Sequence, residues 1–210
     1  MIRTGVAAVA ALALLAVTGA AGAKAPPTGM DFCGPSGCAH LDWQAAENFW
    51  IRASSSGKPV GAAPFYVVRW HFESEPEQTA YYVPSRAAIR WHDRDAWTAM
   101  DAAAASALNG ALGRVEPYPV PTLTRATVGK REARNPQTYL ALLDGKPSSV
   151  YPTTAWYRVR LFSATPSPWT NGTALIRLGK TAPYVVVDGW TLRLSRAVAK
   201  RARQGLSLAG

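Results

Sequence analysis

The alternation of apolar and polar residues predicts β-strands in both halves of the chain. In the stretch FYVVRWHF, Tyr66, Val68, Trp70 and Phe72 share one face, as in a strand with one buried side. The stretch WYRVRLF at residues 156–162 alternates in the same way. Four shorter apolar stretches, TAYYV, AAIRW, TALIRL and YVVV, predict further strands.

Helical spacing of apolar and small residues predicts four helices, at 41–53, 95–113, 135–144 and 195–204. The second is the most regular, and Thr98 followed three residues later by an acid resembles a capping box. The third begins with an Asn-Pro pair and ends before a glycine, which is typical of helix ends. A Gly-Lys turn within TLTRATVGKREAR predicts a hairpin ahead of this third helix.

Three stretches of the first half recur in the second. WYRVRL repeats FYVVRW, TALI repeats TAYY and DGWT repeats DAWT, at offsets of 91, 94 and 93 residues. We therefore predict an α+β fold of antiparallel sheets with helices on one face. The recurrence favours two related βββα units, with the hairpin and helix of residues 122–144 inserted between them.

This interpretation divides the chain into five segments. A duplicated unit commonly leaves a groove between its halves, which would be a natural place for a ligand. The expected order is a signal peptide (1–23), a leader with a disulfide hairpin and a short helix (24–64), the first βββα unit (65–113), a connector with a hairpin and a helix (114–155), and the second βββα unit (156–210).

The first 23 residues have the features of an export signal. Arg3 precedes an apolar run at 6–17, and the sequence AGA at 21–23 matches the small-x-small cleavage pattern. We expect cleavage after Ala23 and a secreted or extracytoplasmic protein without a transmembrane span. The alternative is a retained anchor, because the segment nearly has the length needed to cross a bilayer.

The chain has two cysteines, Cys33 and Cys38, separated by Gly-Pro-Ser-Gly. In an oxidising compartment we expect them to form a disulfide across a tight turn. The closed loop is so short that the chain-entropy model gives only about 2 kcal/mol of stabilisation. A metal site shared with His40 is the disfavoured alternative, because the two-residue cysteine spacing of zinc and redox motifs is absent. We expect no metal and no cofactor.

The distribution of charge is the feature that most restricts the kind of partner this protein could bind. Residues 24–113 carry seven basic and nine acidic side chains, whereas residues 156–210 carry nine basic and one acidic. Helical spacing places Arg196, Lys200 and Arg203 on one stripe of the last predicted helix, with Arg201 beside it. A stripe of one sign favours an anionic partner, although such a stripe is also typical of a solvated terminal helix.

Candidate acid–base chemistry is limited to His71, Glu73, His92 and Asp95. Imidazoles and carboxylates at neighbouring strand ends could form a hydrolase site. The same residues are equally typical of a solvated sheet face and a polar turn. The sequence contains no nucleophile elbow, zinc-binding helix or phosphate loop, so we assign no catalytic residue.

Three hypotheses follow, and we expect a binding protein rather than an enzyme. The leading one is an exported, non-enzymatic domain of the bacterial envelope that holds a wall polymer, lipid headgroups or an acidic protein surface through its basic C-terminal region. Nucleic acid is not an expected partner, because export separates the chain from it and no recognition motif is present. The second is a secreted hydrolase inhibitor that presents residues 34–37 or 117–121. The third is the hydrolase itself.

Overall fold

The computed structural model describes residues 27–45, 55–92, 96–151, 156–170, 172–178 and 183–207. Two seven-stranded antiparallel sheets and several helices make up this part of the chain, so the coarse α+β prediction is confirmed. The expected signal peptide at 1–23 lies outside the described residues. No helix within them has the length and apolar character needed to cross a membrane.

The first sheet is built around a meander in which each strand pairs with the next. A preceding hairpin, β1–β2, pairs through β1 with the first meander strand, and β3 pairs with the last. The strands are β1 (Gly29–Gly34), β2 (Gly37–Asp42), β3 (Ser55–Gly57), β4 (Tyr66–His71), β5 (Gln78–Val83), β6 (Ala88–Trp91) and β7 (Ala96–Ala99), in the order β2-β1-β4-β5-β6-β7-β3. Helix α1 (Ala102–Ala111) follows β7, and a short 3₁₀ helix (Pro84–Arg86) joins β5 to β6.

The second sheet has its own hairpin, meander and helix. Helix α2 (Arg196–Ser207) follows the last strand, and a 3₁₀ helix (Pro136–Asp144) occupies the third predicted helix. The strands are β8 (Leu123–Val128), β9 (Arg131–Glu132), β10 (Lys146–Pro147), β11 (Tyr157–Ser163), β12 (Thr173–Arg177), β13 (Tyr184–Val187) and β14 (Trp190–Arg193), in the order β9-β8-β11-β12-β13-β14-β10.

The two sheets therefore share one topology, strand for strand. The stretches that recur in the sequence occupy equivalent strands, namely β4 and β11, β5 and β12, and β7 and β14. Each meander has four strands, one more than the pattern predicts. The hairpin of residues 123–132 is not an insertion between units, because it takes the place in the second sheet that the cysteine hairpin takes in the first.

The central strands of the first sheet are buried on both faces. Strand β6 is buried at all four positions, because one face packs on α1 and the other packs on the second half of the chain. Trp70 and Phe32 belong to the same cluster as Leu108 of α1, whereas Tyr81 and Trp97 belong to the cluster of the second sheet. Strand β11 instead alternates between exposed and buried side chains, as expected for a sheet with one solvent face.

The disulfide between Cys33 and Cys38 is confirmed. The two residues lie directly opposite each other in the β1–β2 register, and the intervening turn contains Gly37 with φ of 144°. A Cβ on Gly34 would lie 1.8 Å from the carbonyl oxygen of Glu116, so only glycine allows the hairpin end to contact this segment. The disulfide thus stiffens a hairpin that is held against the connector after α1.

Two predicted helices differ from the structure. The segment 41–53 begins as the end of β2, with one helical turn at 43–45, and its remainder lies outside the described residues. The helix predicted at 95–113 begins only at Ala102, where the Asp101 carboxylate accepts a hydrogen bond from the Ala104 amide. Thr98 is therefore not its cap, because Ala96–Ala99 pairs with β6 and its tertiary pairing overrides the helical preference of alanine.

A buried ion pair joins the two sheets. Asp188 and Gly189 have φ of 48° and 76° and form the two-residue turn between β13 and β14, as in a type I′ hairpin. From this turn the Asp188 carboxylate accepts a hydrogen bond from Trp97 Nε1 at 2.8 Å and one from Arg90 Nε at 3.4 Å. The Arg90 and Asp188 side chains are 2% and 4% exposed, so the pair is shielded from water.

Gly172 and Trp169 pack closely around this ion pair. A Cβ on Gly172 would lie 2.8 Å from Arg90 Nη2, so a larger residue here would force the guanidinium to shift. Trp169 lies beside Trp97 with ring centroids 6.4 Å apart, and its indole donates a hydrogen bond to the Val60 carbonyl at 2.9 Å. The contacts tie the second sheet both to β6 and β7 and to the segment before β4.

We predict that Asp188→Ala lowers the free energy of unfolding by about 3–5 kcal/mol, because it leaves a buried guanidinium without its carboxylate. Asp188→Asn should cost less, since the amide oxygen can still accept from Trp97 and asparagine tolerates positive φ. Urea unfolding followed by tryptophan fluorescence measures both changes. Glu116→Ala, at an exposed position, is the control and should change stability by less than about 0.5 kcal/mol. Equal effects of Asp188→Ala and the control would contradict the prediction.

Candidate functional site

Helix α2 is seated on the protein by buried alanines and leaves three of its four cations exposed. Ser195 precedes the helix, and its hydroxyl accepts a hydrogen bond from the Val198 amide at 3.2 Å. Ala199 and Ala202 are fully buried and seat the helix on the protein. The Tyr139 hydroxyl donates a hydrogen bond to the Ala202 carbonyl at 3.0 Å, and burial raises the pKa of Tyr139 to about 12, so this donor stays protonated.

The four predicted anion-binding residues do not all face solvent. Arg196, Lys200 and Arg201 are exposed. Arg203 is half-buried, and its Nη1 donates a hydrogen bond to the Leu178 carbonyl at 3.3 Å, so it holds the helix against the end of β12. The exposed cations of α2 therefore number three, and they form a patch rather than a stripe along the whole helix.

The surface of the last third of the chain carries a single sign of charge. Asp188 is the only acidic side chain in residues 156–210, and its carboxylate is enclosed in the ion pair with Arg90. No exposed carboxylate in this stretch offsets the arginines around it. The sequence alone does not show that Asp188 is buried. It shows only that one of the ten charged side chains in residues 156–210 is acidic.

A second group of cations lies on the solvent face of the second sheet. Arg158 and Arg160 are exposed on β11, with Arg125 on the neighbouring β8. They are not among the predicted site residues, although the alternation of WYRVRLF already separates Arg158 and Arg160 from the buried Val159 and Leu161. The pairing of β8 with β11, which brings Arg125 beside them, cannot be predicted from the local pattern.

A histidine–carboxylate cluster lies on β1, β2 and β4. The Asp31 carboxylate bridges two imidazoles, at 2.7 Å from His40 Nδ1 and 3.0 Å from His71 Nε2. His71 Nδ1 also lies 3.5 Å from Glu77 Oε2. The cluster is partly open to water, since the His40 side chain is 65% exposed and that of Asp31 is 27% exposed.

This cluster contains only one of the predicted hydrolase residues. His71 is in it, Glu73 and His92 are exposed elsewhere, and Asp95 lies outside the described residues. Across the described ranges, no group of three or more His, Cys, Asp or Glu side chains is arranged to hold a metal ion. The His71, Glu73, His92 and Asp95 hypothesis stays a prediction, with Asp31 and Glu77 as the carboxylates that His71 contacts.

The environment of Asp31 favours its ionised form. Partial burial is the largest influence and raises the pKa, but hydrogen bonds and charges from His40 and His71 outweigh it and leave the pKa of Asp31 below its usual value. A carboxylate held between two imidazoles stiffens the outer edge of the first sheet near neutral pH.

The two loops of the inhibitor hypothesis lie side by side. Pro35, in the turn of the cysteine hairpin, lines a groove of about 360 Å³ together with residues 118–122. Phe65 and Tyr118 form part of its floor, with rings 5.6 Å apart and two backbone hydrogen bonds between them. Residues 163–165 line the remaining side of this groove.

Comparisons of this chain with protein-family models, with curated proteins and with solved structures found no match.

We predict that Asp31→Asn destabilises the protein modestly at neutral pH, by about 0.5–1 kcal/mol, because the pair is partly exposed. The folded-state pKa of Asp31 is lowered, so the stabilisation is full above the unfolded pKa of about 3.9 and is lost as pH falls through the folded value. Thermal unfolding from pH 7 to pH 3 should show the wild type and Asp31→Asn converging at the acidic end. A difference that persists undiminished at pH 3 would contradict this account.

Proposed function

We propose that this protein is an exported, non-enzymatic domain that binds an anionic partner through the basic surface of its second half. One observation carries the proposal, namely that the only carboxylate side chain of residues 156–210 is buried against Arg90. The remaining charged side chains of that stretch are all cationic. A surface of one sign attracts an oppositely charged partner and speeds its association.

The disulfide supports an oxidising compartment for this activity. In a bacterial envelope, the anionic partners available to an exported protein are wall polymers, lipid headgroups and acidic protein surfaces. Arg196, Lys200 and Arg201 are the exposed members of the predicted anion-binding set on helix α2. Arg203 contributes to this surface mainly by fixing the helix through the Leu178 carbonyl.

We also infer that the two halves arose by duplication of one seven-stranded unit followed by a helix. The shared strand order and the three recurring sequence stretches support this inference. The units have since diverged in charge, because residues 24–113 carry more acidic than basic side chains. Binding of an anion would then be a property of the second unit, with the first serving as its support.

We predict that the wild-type protein is retained on a sulfated-dextran column and elutes at increasing salt concentration. The variant R196E/K200E/R201E should elute at lower salt, because each reversal replaces an attraction with a repulsion. The control K58E/R86E/R114E makes the same change in net charge at exposed positions of the first half or directly after it, and should elute near the wild type. Failure of the wild type to bind this column or anionic vesicles at low salt would refute the proposed function.

A second candidate function is inhibition of an extracellular hydrolase. The observation that favours it is that the turn closed by the disulfide (34–37) lies beside the proline-rich connector (117–121). From the sequence these were two separate candidates for the inhibitory segment. Val120 projects from the connector and is one of the large apolar side chains that remain exposed. A disulfide and three prolines keep such a surface rigid, which lowers the entropy cost of binding an enzyme.

We predict that, if this second function holds, the protein inhibits at least one member of a panel of secreted proteases and muramidases. Val120→Asp should then weaken inhibition at least tenfold without changing the melting temperature, since the side chain is already exposed. Val150→Asp, at another exposed valine, is the matched control and should inhibit as the wild type does. Absence of inhibition across the panel, or equal loss in both variants, would remove this candidate.

A further inference from the structure

We infer that the solvent face of β8, β11 and β12 is the contact surface for the anionic partner, and that this partner is a linear polymer bearing phosphate groups. The inference rests on the proposed function and adds a strand surface to the exposed cations of helix α2. The residues that carry it are Arg125, Arg158 and Arg160 with two threonines, and we call them the sheet patch.

Strand register places the two threonines on either side of Arg160. Thr127 of β8 and Thr173 of β12 both lie directly opposite Arg160. Directly opposed residues of antiparallel strands project from the same face, with Cβ atoms about 4.5–5.5 Å apart. One guanidinium fork and two hydroxyls therefore point to the same solvent region from three adjacent strands.

The three arginines occupy three successive rows along the direction of β11. Arg158 lies two residues before Arg160 on β11, and Arg125 lies opposite Phe162, two residues after it. Successive rows on one strand face are about 7 Å apart, so the guanidinium groups recur at that interval. Arg125 packs over the Phe162 ring with its guanidinium carbon 4.1 Å from the ring centre, which orders it in place.

Charge on this face is almost entirely positive. Within the described part of the chain, Arg158 and Arg160 make no ion pair, and Glu132 at the β9 edge is the only acid whose register places it on the face. Further cations lie on the same face beyond the sheet patch. Arg193 of β14 and Lys146 of β10 lie opposite each other there. An extended polyanion would meet cations along several rows.

A phosphate group suits the sheet patch better than a carboxylate does. Arginine forks bind both, but the donors around Arg160 come from three strands and converge from different directions. A tetrahedral oxyanion has oxygens that diverge in three dimensions and can accept from the fork and both hydroxyls together. A carboxylate accepts best within its own plane, so hydroxyls that approach from either side of the fork would align poorly with its remaining lone pairs.

A flexible polymer suits the sheet patch better than a bilayer does. The face belongs to an antiparallel sheet, and such sheets twist by about 20–25° per strand, so a flat membrane would touch the rows unevenly. Among the described residues, the exposed large apolar side chains are Trp43, Val120, Val150, Tyr151 and Tyr157, and none belongs to the sheet patch. The patch therefore offers cations and hydroxyls without a side chain to insert among lipids.

The test measures binding of inorganic polyphosphate to the full chain by fluorescence anisotropy across a salt series. R158E/R160E should weaken binding at least tenfold and reduce the slope of log affinity against log salt by about 1.5–2, as expected for two lost phosphate contacts. R86E/R114E makes the same change in net charge at exposed positions outside the second sheet, and should stay within about threefold of the wild type. Circular dichroism checks that each variant folds.

A neutral variant separates geometry from charge. T127V/T173V removes the two hydroxyls without altering net charge, and should weaken polyphosphate several-fold while leaving binding of polygalacturonate, a carboxylate polymer, unchanged. The proposal is overturned if polygalacturonate binds as tightly as polyphosphate. It is also overturned if only vesicles of equal parts phosphatidylglycerol and phosphatidylcholine are bound.

The outcomes also distinguish this inference from the proposed function. If R158E/R160E and the control weaken binding equally, or if only R196E/K200E/R201E weakens it, the sheet patch is not the contact surface although an anionic partner remains. If the wild type binds no polyanion and no anionic vesicle at low salt, the proposed function itself fails.

Discussion

The ion pair between Asp188 and Arg90 is the interaction on which the arrangement of the two halves depends. It spans the sheets from a tight turn that holds an aspartate at positive φ, and Trp97 shares the same carboxylate. A buried pair is worth little as a net source of stability, but its geometry is demanding, so it favours one mutual placement of the sheets over others. It also encloses the only acidic side chain of residues 156–210, so the other charged side chains of that stretch are all cationic.

The two halves share one strand order but differ in which sheet faces are covered. Helix α1 covers one face of the first sheet and the second half covers much of the other, so strand β6 is buried throughout. The second sheet keeps a solvent face, where exposed arginines alternate with buried apolar residues on β11. The packing of the two halves thus leaves this face uncovered. As a result, the arginines of β11 are exposed on it.

Much of the fold could be predicted from local patterns. The cysteine hairpin, the strands around Trp70 and Val159, and the final helix follow from alternation, turn residues and spacing. Prediction failed at Ala96–Ala99, where an alanine-rich sequence favours a helix but pairing with the neighbouring strand β6 decides otherwise. The anion-binding site stays a prediction; of its residues, Arg196, Lys200 and Arg201 are exposed, whereas Arg203 is engaged with a carbonyl.

The amino-acid sequence by itself determined the type of most elements, the disulfide, the recurrence of the two halves and the excess of positive charge toward the C-terminus. Only the tertiary structure decided that Asp188 is buried, that Thr127 and Thr173 flank Arg160, and that the cysteine turn lies beside the proline-rich connector. The physical reason is sequence distance. Periodicity and turn chemistry act over a few residues, whereas the pairing of strands and the burial of a charge depend on partners far apart in the chain.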